Sequence, residues 1–245
     1  MILKIITFNV AHGKGMDGMV DIQRQAEAIK IYKPDIVFLQ EIDMYTKRAG
    51  DRNQIREFSK ALNLPYSAME SNITLDEGYY GDGIISKFPI TFSTNYLMPL
   101  TDIGHEQRGI LCNRVYFGTV KLNLFSVHLS TYQDERILAA KEINKIMRKI
   151  DRNELIIMGG DFNVGVTRLG KGRYTFEKQE TYEEYEILKK VLEKLPNEED
   201  TWFSDLGRGC IDTIFYSKGI RLNTYQTIEV NGVSDHDAIY AEFDI

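Results

Sequence analysis

Apolar residues in this chain fall into short unbroken runs that end in polar residues, the pattern of strands buried on both faces. The run Leu155-Ile156-Ile157-Met158 passes through Gly159 and Gly160 to Asp161, Phe162 and Asn163. Glycines at such a point let the backbone turn sharply or let another group approach closely. Asp161 and Asn163 lie two residues apart, so in an extended backbone they point to one side, where they suit holding a water molecule or a cation. An Asx-rich strand-to-loop turn is the ordinary alternative. A second run of the same kind, from Asp35, ends at Gln40 and Glu41. Helical periodicity precedes both runs. Asp21 starts a helix with Ile22, Ala26 and Ile29 on one face, stopping before Pro34, and residues 134–149 form another that buries Ala139, Ala140, Ile143, Ile146, Met147 and Ile150. Both halves therefore read helix, buried strand, acid, a repeat of architecture without sequence identity. The pattern predicts two similar layers whose strand ends meet at one cleft.

The remaining periodicity is mostly that of strands. Residues 2–8 alternate and end at Asn9, followed by a glycine-rich loop over 10–18. After a helix at 53–62, strands are predicted at 66–69, 83–86, 90–98, 110–117 and 120–129, the last two joined by a turn at Gly118 and Thr119. A polar, glycine-containing loop runs from Asn163 to Gly172. The capping-box pattern Thr181-Tyr182-Glu183-Glu184 opens a helix that closes at Pro196, and strands follow at 211–216, 222–230 and 238–243. No linker-like or low-complexity segment divides the chain. Residues 1–245 are expected to form one α+β domain, with two packed sheets and helices outside them.

Composition narrows the functional classes. With 43% hydrophobic and 27% charged residues, the chain reads as soluble and globular, with ample apolar material for a large core. Its formal net charge is -6, whereas nucleic-acid binders usually present a basic face to phosphates, which disfavours a nuclease but leaves room for a local basic patch. Cys112 and Cys210 are far apart without ligand-like spacing, and so are read as buried or free thiols in a reducing compartment. The apolar run at residues 1–6 is too short for a signal peptide and no segment reaches transmembrane length. The cytoplasm is the expected location and a monomer the expected state.

Polar residues gather at the predicted strand ends: Asn9, Glu41, His128, Asp161, Asn163, Asp212, and Asp235 with His236. Each has an ordinary explanation when taken alone. Asn9 can cap a turn, Glu41 can be the first exposed residue after a strand, His128 can be a hydrogen-bonded core histidine, and Asp235-His236-Asp237 can be a solvated acidic loop. Taken together, they offer oxygen ligands suited to a hard divalent cation, Mg²⁺ or Mn²⁺, with two histidines beside them. Such an ion, a carboxylate to orient or deprotonate water, and donors around a phosphoryl group are the parts that phosphoester hydrolysis needs.

The ordered set Thr7-Phe8-Asn9, Gln40-Glu41, Gly81-Asp82-Gly83-Ile84-Ile85-Ser86-Lys87-Phe88-Pro89, Ser126-Val127-His128-Leu129, Gly160-Asp161-Phe162-Asn163, Ile211-Asp212 and Ser234-Asp235-His236 resembles the endonuclease/exonuclease/phosphatase superfamily, the deoxyribonuclease-like metallohydrolases. These elements follow the family's order and span nearly the whole chain. The resemblance implies a four-layer αββα sandwich, two packed mixed β-sheets flanked by helices, with the site at one end of the sheets. It implies Glu41 as principal metal ligand, with Asn9 and Asp235 nearby. Asp161 resembles the residue that activates the attacking water, and Asn163 one that orients water or phosphate. His236 resembles the histidine contacting the scissile phosphate, oriented by Asp212, and His128 a phosphate-contacting, transition-state-stabilising histidine. Either Asp161 or His236 can serve as general base.

Within the superfamily, the loop His12-Gly13 with Asp17-Gly18 and Asp21, the run from Glu41 to Asp51, and Gln107-Arg108-Gly109 are similar to a bacterial branch of small metal-dependent hydrolases. That branch sits nearer the lipid phosphodiesterases, such as neutral sphingomyelinases, than the DNA-repair endonucleases. His12 and Arg108 are its substrate-binding candidates. A guanidinium fork matches phosphate oxygens, although a surface loop arginine is the ordinary alternative. After His236, Asp237-Ala238 stands where the family often has a proline-containing continuation. The implied activity is that of a Mg²⁺- or Mn²⁺-dependent phosphodiesterase acting on a small-molecule or phospholipid-headgroup diester. An endonuclease or abasic-site nuclease is the alternative, and nucleic acid is the partner disfavoured by the acidic composition. A catalytically inert binding module on the same fold is a second alternative, against which the intact set of site residues argues.

Overall fold

Successive side chains of a strand point to opposite faces, and in the central strands of this chain both faces are apolar. The computed structural model describes residues 1–170 and 173–245. Its elements begin with β1 (Ile2–Asn9), α1 (Ile22–Lys30), β2 (Ile36–Met44), α2 (Gln54–Leu62), β3 (Tyr66–Leu75), β4 (Gly78–Ser86), β5 (Phe92–Leu97), β6 (Gly109–Phe117), β7 (Val120–His128), α3 (Gln133–Met147) and β8 (Leu155–Asp161). They continue with β9 (Val166–Gly170), β10 (Arg173–Phe176), α4 (Glu183–Lys189), β11 (Leu192–Lys194), β12 (Trp202–Ser204), β13 (Gly207–Gly209), β14 (Asp212–Ser217), β15 (Arg221–Ile228) and β16 (Ala238–Asp244).

The alternation sorts the core into three layers of contact. Leu3 and Ile5 of β1, Ile36 and Phe38 of β2, Leu122 and Leu124 of β7 and Ile157 of β8 share one buried cluster between the sheets. The opposite faces of β1 and β2, with Ile6, Phe8, Val37 and Leu39, pack on Ile22, Ala26 and Ile29 of α1 and Phe58 of α2. Those of β7 and β8, with Phe125, Val127, Ile156 and Met158, pack on Ala140 and Ile143 of α3 and Leu188 of α4. The result is the expected αββα sandwich of six-stranded sheets ordered β15-β16-β1-β2-β4-β3 and β11-β14-β8-β7-β6-β5. Each sheet is mixed. Its parallel pair, β1 with β2 or β7 with β8, is joined through α1 or α3, and the other strands pair antiparallel.

Local signals at the helix starts hold where a side chain caps the turn. Asp21 accepts from the Gln23 and Arg24 amides, and the Asn53 side chain accepts from the Arg56 amide. The capping box at Thr181 does not form. Tyr182 precedes α4 without a side-chain cap, the helix stops at Lys189, and the chain up to Pro196 contains β11 instead of further helix. Pairing of β11 with β14 satisfies this backbone while burying Leu192 and Leu195 in two different core layers, which a continued helix cannot do. The loop predicted after Asn163 contains the β9–β10 ribbon, and its predicted end at Gly172 lies outside the described residues. Among the described residues no helix is long and apolar enough to cross a membrane. Both cysteines are free thiols.

Gly159 and Gly160 act through close approach. A Cβ on Gly159 would sit 2.6 Å from the Phe38 ring of the facing sheet, and one on Gly160 would sit 1.9 Å from the Val127 carbonyl oxygen. Because Val127 is backbone in the adjacent strand, the second clash has no cheap relief. Gly160→Ala is expected to destabilise by about 3 kcal/mol or more, which for a chain of this size lowers Tm by about 6–12 °C. Gly104→Ala, where a Cβ meets only the Asp102 side chain, is the control expected to stay within about 1 kcal/mol. Thermal unfolding of the two variants checks this.

Candidate active site

The four inner strands all end at one side of the sandwich, and the residues predicted at their ends are brought together there. Asn9 closes β1, His128 closes β7 and Asp161 closes β8, whereas Glu41, expected to end its strand, lies inside β2, which continues to Met44. In the second sheet His128 and Asp212 are both register partners of Asp161, which fixes these three side by side. The β2–β4 ladder shifts register between Leu39 and Ile42, and Glu41 adopts φ 59°. Such a bulge re-aims a side chain that would otherwise alternate into the core. Ala11, His12 and Asn163 also hold positive φ. This is backbone strain of the kind that gathers at functional sites.

A hydrogen-bond network connects the two sheets. The Asn9 amide Nδ2 donates to Glu41 Oε1 at 3.2 Å and to Asp161 Oδ2 at 3.1 Å. Asp161 Oδ2 also lies 3.5 Å from His128 Nε2 and 3.8 Å from His236 Nε2. The extended conformation does not persist to Asn163. Its backbone N–H turns back to Asp161 Oδ1 at 2.9 Å, the Asx turn that was the ordinary reading, while its Nδ2 donates to Leu129 O at 3.0 Å. His236 Nδ1 is 2.9 Å from Asp212 Oδ2. Arg108 Nη1 lies 2.8 Å from His128 Nδ1 and 3.0 Å from His128 Nε2, and 3.0 Å from Glu106 Oε1. His12 Nδ1 stands 3.9 Å from Glu41 Oε2. Asp235, between Ser234 and His236, has a buried Oδ1 with no hydrogen-bond partner among the described residues.

Burial and charge put the two site histidines in opposite states. Burial alone would lower His236, but the carboxylates of Asp212, Asp161 and Asp235 outweigh it and push the pKa up to about 10, so the ring is an imidazolium at neutral pH. His128 is held well below the ordinary value by burial and by the Arg108 guanidinium, so that ring is neutral. Burial and the Asp212 carboxylate push Asp161 upward. Burial works against ionisation of Glu41, yet His12, His236 and Arg108 hold its carboxyl below the usual range.

The donor set fits a hard divalent cation. Such ions take oxygen ligands, and the ionised Glu41 together with the orphaned Asp235 Oδ1 supplies them. Asn9 turns its amide nitrogen to the carboxylates while its oxygen accepts from the Ala11 amide at 3.0 Å. Asp161, Asp212 and His236 each bring one ligand-type atom within 4.8 Å of the others. However, Asp212 Oδ2 already accepts from the Thr201 hydroxyl at 2.6 Å in addition to its contact with His236. Within that trio the hydrogen bond runs between His236 and Asp212, and Asp161 stands 3.8 Å from His236.

The family model described as the Endonuclease/Exonuclease/phosphatase family matches residues 6–236. The chain belongs to this family. Over 173 residues it is 25% identical to tyrosyl-DNA phosphodiesterase 2 of Mus musculus, covering 66% of this chain and 41% of that protein. The chain thus spans about two fifths of that curated relative's length. The structure of D. rerio TDP2 complexed with single strand DNA product superposes with a TM-score of 0.74 at 20% identity, covering 100% of this chain and 99% of that one. The Bacteroides thetaiotaomicron VPI-5482 mannosyl-6-phosphatase Bt3783 superposes with a TM-score of 0.70 at 16% identity, covering 99% of this chain and 100% of that one. At these identities the two structures demonstrate the shared fold.

Sequence reasoning assigns no site role to several residues that support the site of this endonuclease/exonuclease/phosphatase member. Thr201, fully buried, holds Asp212 from both sides: its hydroxyl donates to Oδ2 and accepts from the Asp212 amide at 3.1 Å and the Ile211 amide at 3.2 Å. Asp82, 1% exposed, takes a bond from Asn72 Nδ2 on one oxygen and has none on the other among the described residues, and burial pushes it up to about 8. Asp237, at the departure from the family pattern, accepts from the Val230 amide at 2.9 Å and donates its own amide to Thr201 O at 2.7 Å, so a carboxylate and its backbone shape that loop. The isosteric Thr201→Val removes the hydroxyl on which Asp212 rests. It is expected to cost about 2 kcal/mol, and Thr201→Ser less than half of that. Urea denaturation of the two variants measures the difference.

Proposed function

We propose that this chain is a divalent-metal-dependent phosphodiesterase, a single catalytic domain that hydrolyses a small-molecule or lipid-headgroup diester by in-line attack of water. The observation that carries this reading is the opposition of two cations across a buried carboxylate. His236, held as an imidazolium by Asp212, lies on one side of Asp161, and the Arg108–His128 pair lies on the other. A phosphoryl group gathers charge on its equatorial oxygens as water attacks, and fixed donors in a water-poor site stabilise that charge.

Each residue has a part consistent with its state. With His236 already protonated, Asp161 is the group able to accept the proton of the attacking water, and its upward shift brings it nearer the working pH of a general base. Asn163 anchors its carboxamide by donating from Nδ2 to Leu129, and its oxygen is the acceptor that would orient that water. His236 and Arg108 meet phosphoryl oxygens as charged donors, with His128 as a neutral one and His12 at the Glu41 side. Mg²⁺ or Mn²⁺ held by Glu41 and Asp235, with Asn9 beside them, would supply Lewis-acid stabilisation of the phosphoryl and leaving oxygens.

A second reading, an endonuclease, is supported by the likeness to a protein solved with a single strand DNA product. The net charge of -6 weighs against it, because extended nucleic-acid contact depends on many cationic side chains.

The deciding experiment is a metal-supplemented panel of an aryl phosphodiester, an aryl phosphomonoester, choline phospholipids and abasic DNA. Diester turnover is expected to exceed monoester turnover by about tenfold or more, and equal or reversed rates would sink the proposal. Asp161→Asn and His236→Ala are each expected to lose about 10³-fold in turnover while still melting cooperatively. Mg²⁺ at about 100 times its Kd should add about 2.7 kcal/mol of stability, and Glu41→Gln should abolish that gain. A shift that survives Glu41→Gln would place the ion elsewhere.

A further inference from the structure

Two segments would meet the phosphoryl group from one side of the site. Residues 98–108 end in Arg108, and residues 129–132 follow His128. Because Arg108 Nη1 touches both His128 ring nitrogens, the relative placement of these segments sets the position of the guanidinium. The longer segment has little holding it. Its stem is closed by Met98 N donating to Arg108 O at 2.8 Å and by Gln107 Nε2 donating to the Met98 and Arg108 carbonyls. At its outer edge Ile103 is 98% exposed.

One carboxylate takes the hydrogen bonds that join residues 99–107 to the body. Glu135, in the first turn of α3 and 2% exposed, accepts on Oε1 from Thr101 N at 2.9 Å and from Thr101 Oγ1 at 3.1 Å, with His105 Nδ1 at 2.7 Å. Its Oε2 accepts from Ser130 Oγ at 2.6 Å. The His105 ring stacks on Tyr132, with centroids 3.6 Å apart and planes 10° from parallel. Among the described residues, Glu135 receives every hydrogen bond that residues 99–107 make beyond their own loop and its stem. The other segment has a second anchor in the next residue. Arg136 Nη1 donates to Ser130 O at 3.2 Å and to Val166 O at 3.3 Å, and its Nε donates to Glu184 Oε1 at 2.8 Å. Loss of Glu135 would therefore remove the hydrogen bonds that hold residues 99–107 to the body and leave residues 129–132 anchored. A buried carboxylate is a costly way to join two loops, and what it adds over apolar packing is direction.

We propose that Glu135 is a positioning residue for Arg108, latching the 98–108 loop to the 129–132 segment so that the guanidinium is held against His128 at the phosphoryl site. This rests on the reading above that Arg108 contacts phosphate. In a phosphoryl-transfer site a displacement of about 1 Å is enough to cost about 100-fold, so a latch outside the chemistry has leverage on it.

The test combines Glu135→Gln, Arg108→Ala and their double variant with hydrogen exchange and with turnover of an aryl phosphoester. Glu135→Gln should raise amide exchange over residues 99–107 about tenfold and leave that of β7 and α3 unchanged. It should lower kcat/KM by about 10- to 100-fold in the wild-type background but less than about twofold when Arg108 is already alanine, since residues acting as one unit are not additive. Losses that multiply in the double variant, or exchange that does not change, would overturn the latch. Should Glu135→Gln not fold, His105→Ala keeps the carboxylate, removes one of its donors and the stacked ring, and should loosen the same loop. A wild type that turns over no phosphoester would refute the proposed function, and the exchange comparison alone would then decide the latch.

Discussion

The site depends on joining polar strand ends across two sheets that are otherwise held together by apolar contact. Asn9 makes that junction. One carboxamide, fully buried, donates to a carboxylate of its own sheet and to a carboxylate of the facing sheet. Behind it runs a second polar seam, in which Thr7 donates to Gln40, Gln40 to Ser126 and Ser126 to the Leu39 carbonyl. Unpaired polar groups at such depth cost several times what a paired one does. The two sheets are therefore held in register at this end by satisfied bonds, while farther back the apolar cluster tolerates many arrangements.

Once the ends are placed, the electrostatics follow from proximity. His128 and His236 are the same residue type at similar burial, and they differ because one faces a guanidinium and the other faces carboxylates. Neither state can be read from the local sequence, since Arg108 is twenty residues from His128 and Asp212 twenty-four from His236. Burial is the first cause that pushes Asp161 and Asp82 upward, and for Asp161 the neighbouring Asp212 carboxylate adds to it.

Much of the fold was legible because its strands are buried on both faces and leave the densest apolar signal a strand can leave. The helices with a real side-chain cap at Asp21 and Asn53 were found at their starts, whereas the Thr181 pattern promised a cap that tertiary pairing displaced. The β9–β10 ribbon and the β12–β13 hairpin were missed because neither has a continuous apolar face. At the site, the residues that carry formal chemistry stood out as polar groups closing apolar runs. Their supports did not. Thr201, Asp82 and Glu135 are polar residues whose importance comes from partners that only folding brings near.

The sequence by itself determined the two helix–strand–acid units and the identity of the polar strand ends, because these depend on helical periodicity, unbroken apolar runs and short-range turn chemistry. It also carried both readings of Asp161 and Asn163, and the structure shows the Asx turn, with the Asn163 amide bound to Asp161 and its Nδ2 to Leu129. Tertiary structure alone decided which ends face each other, which histidine is charged, and how the arginine loop is held. These are long-range facts: a hydrogen bond or a pKa shift depends on a few ångströms between groups that lie far apart along the chain.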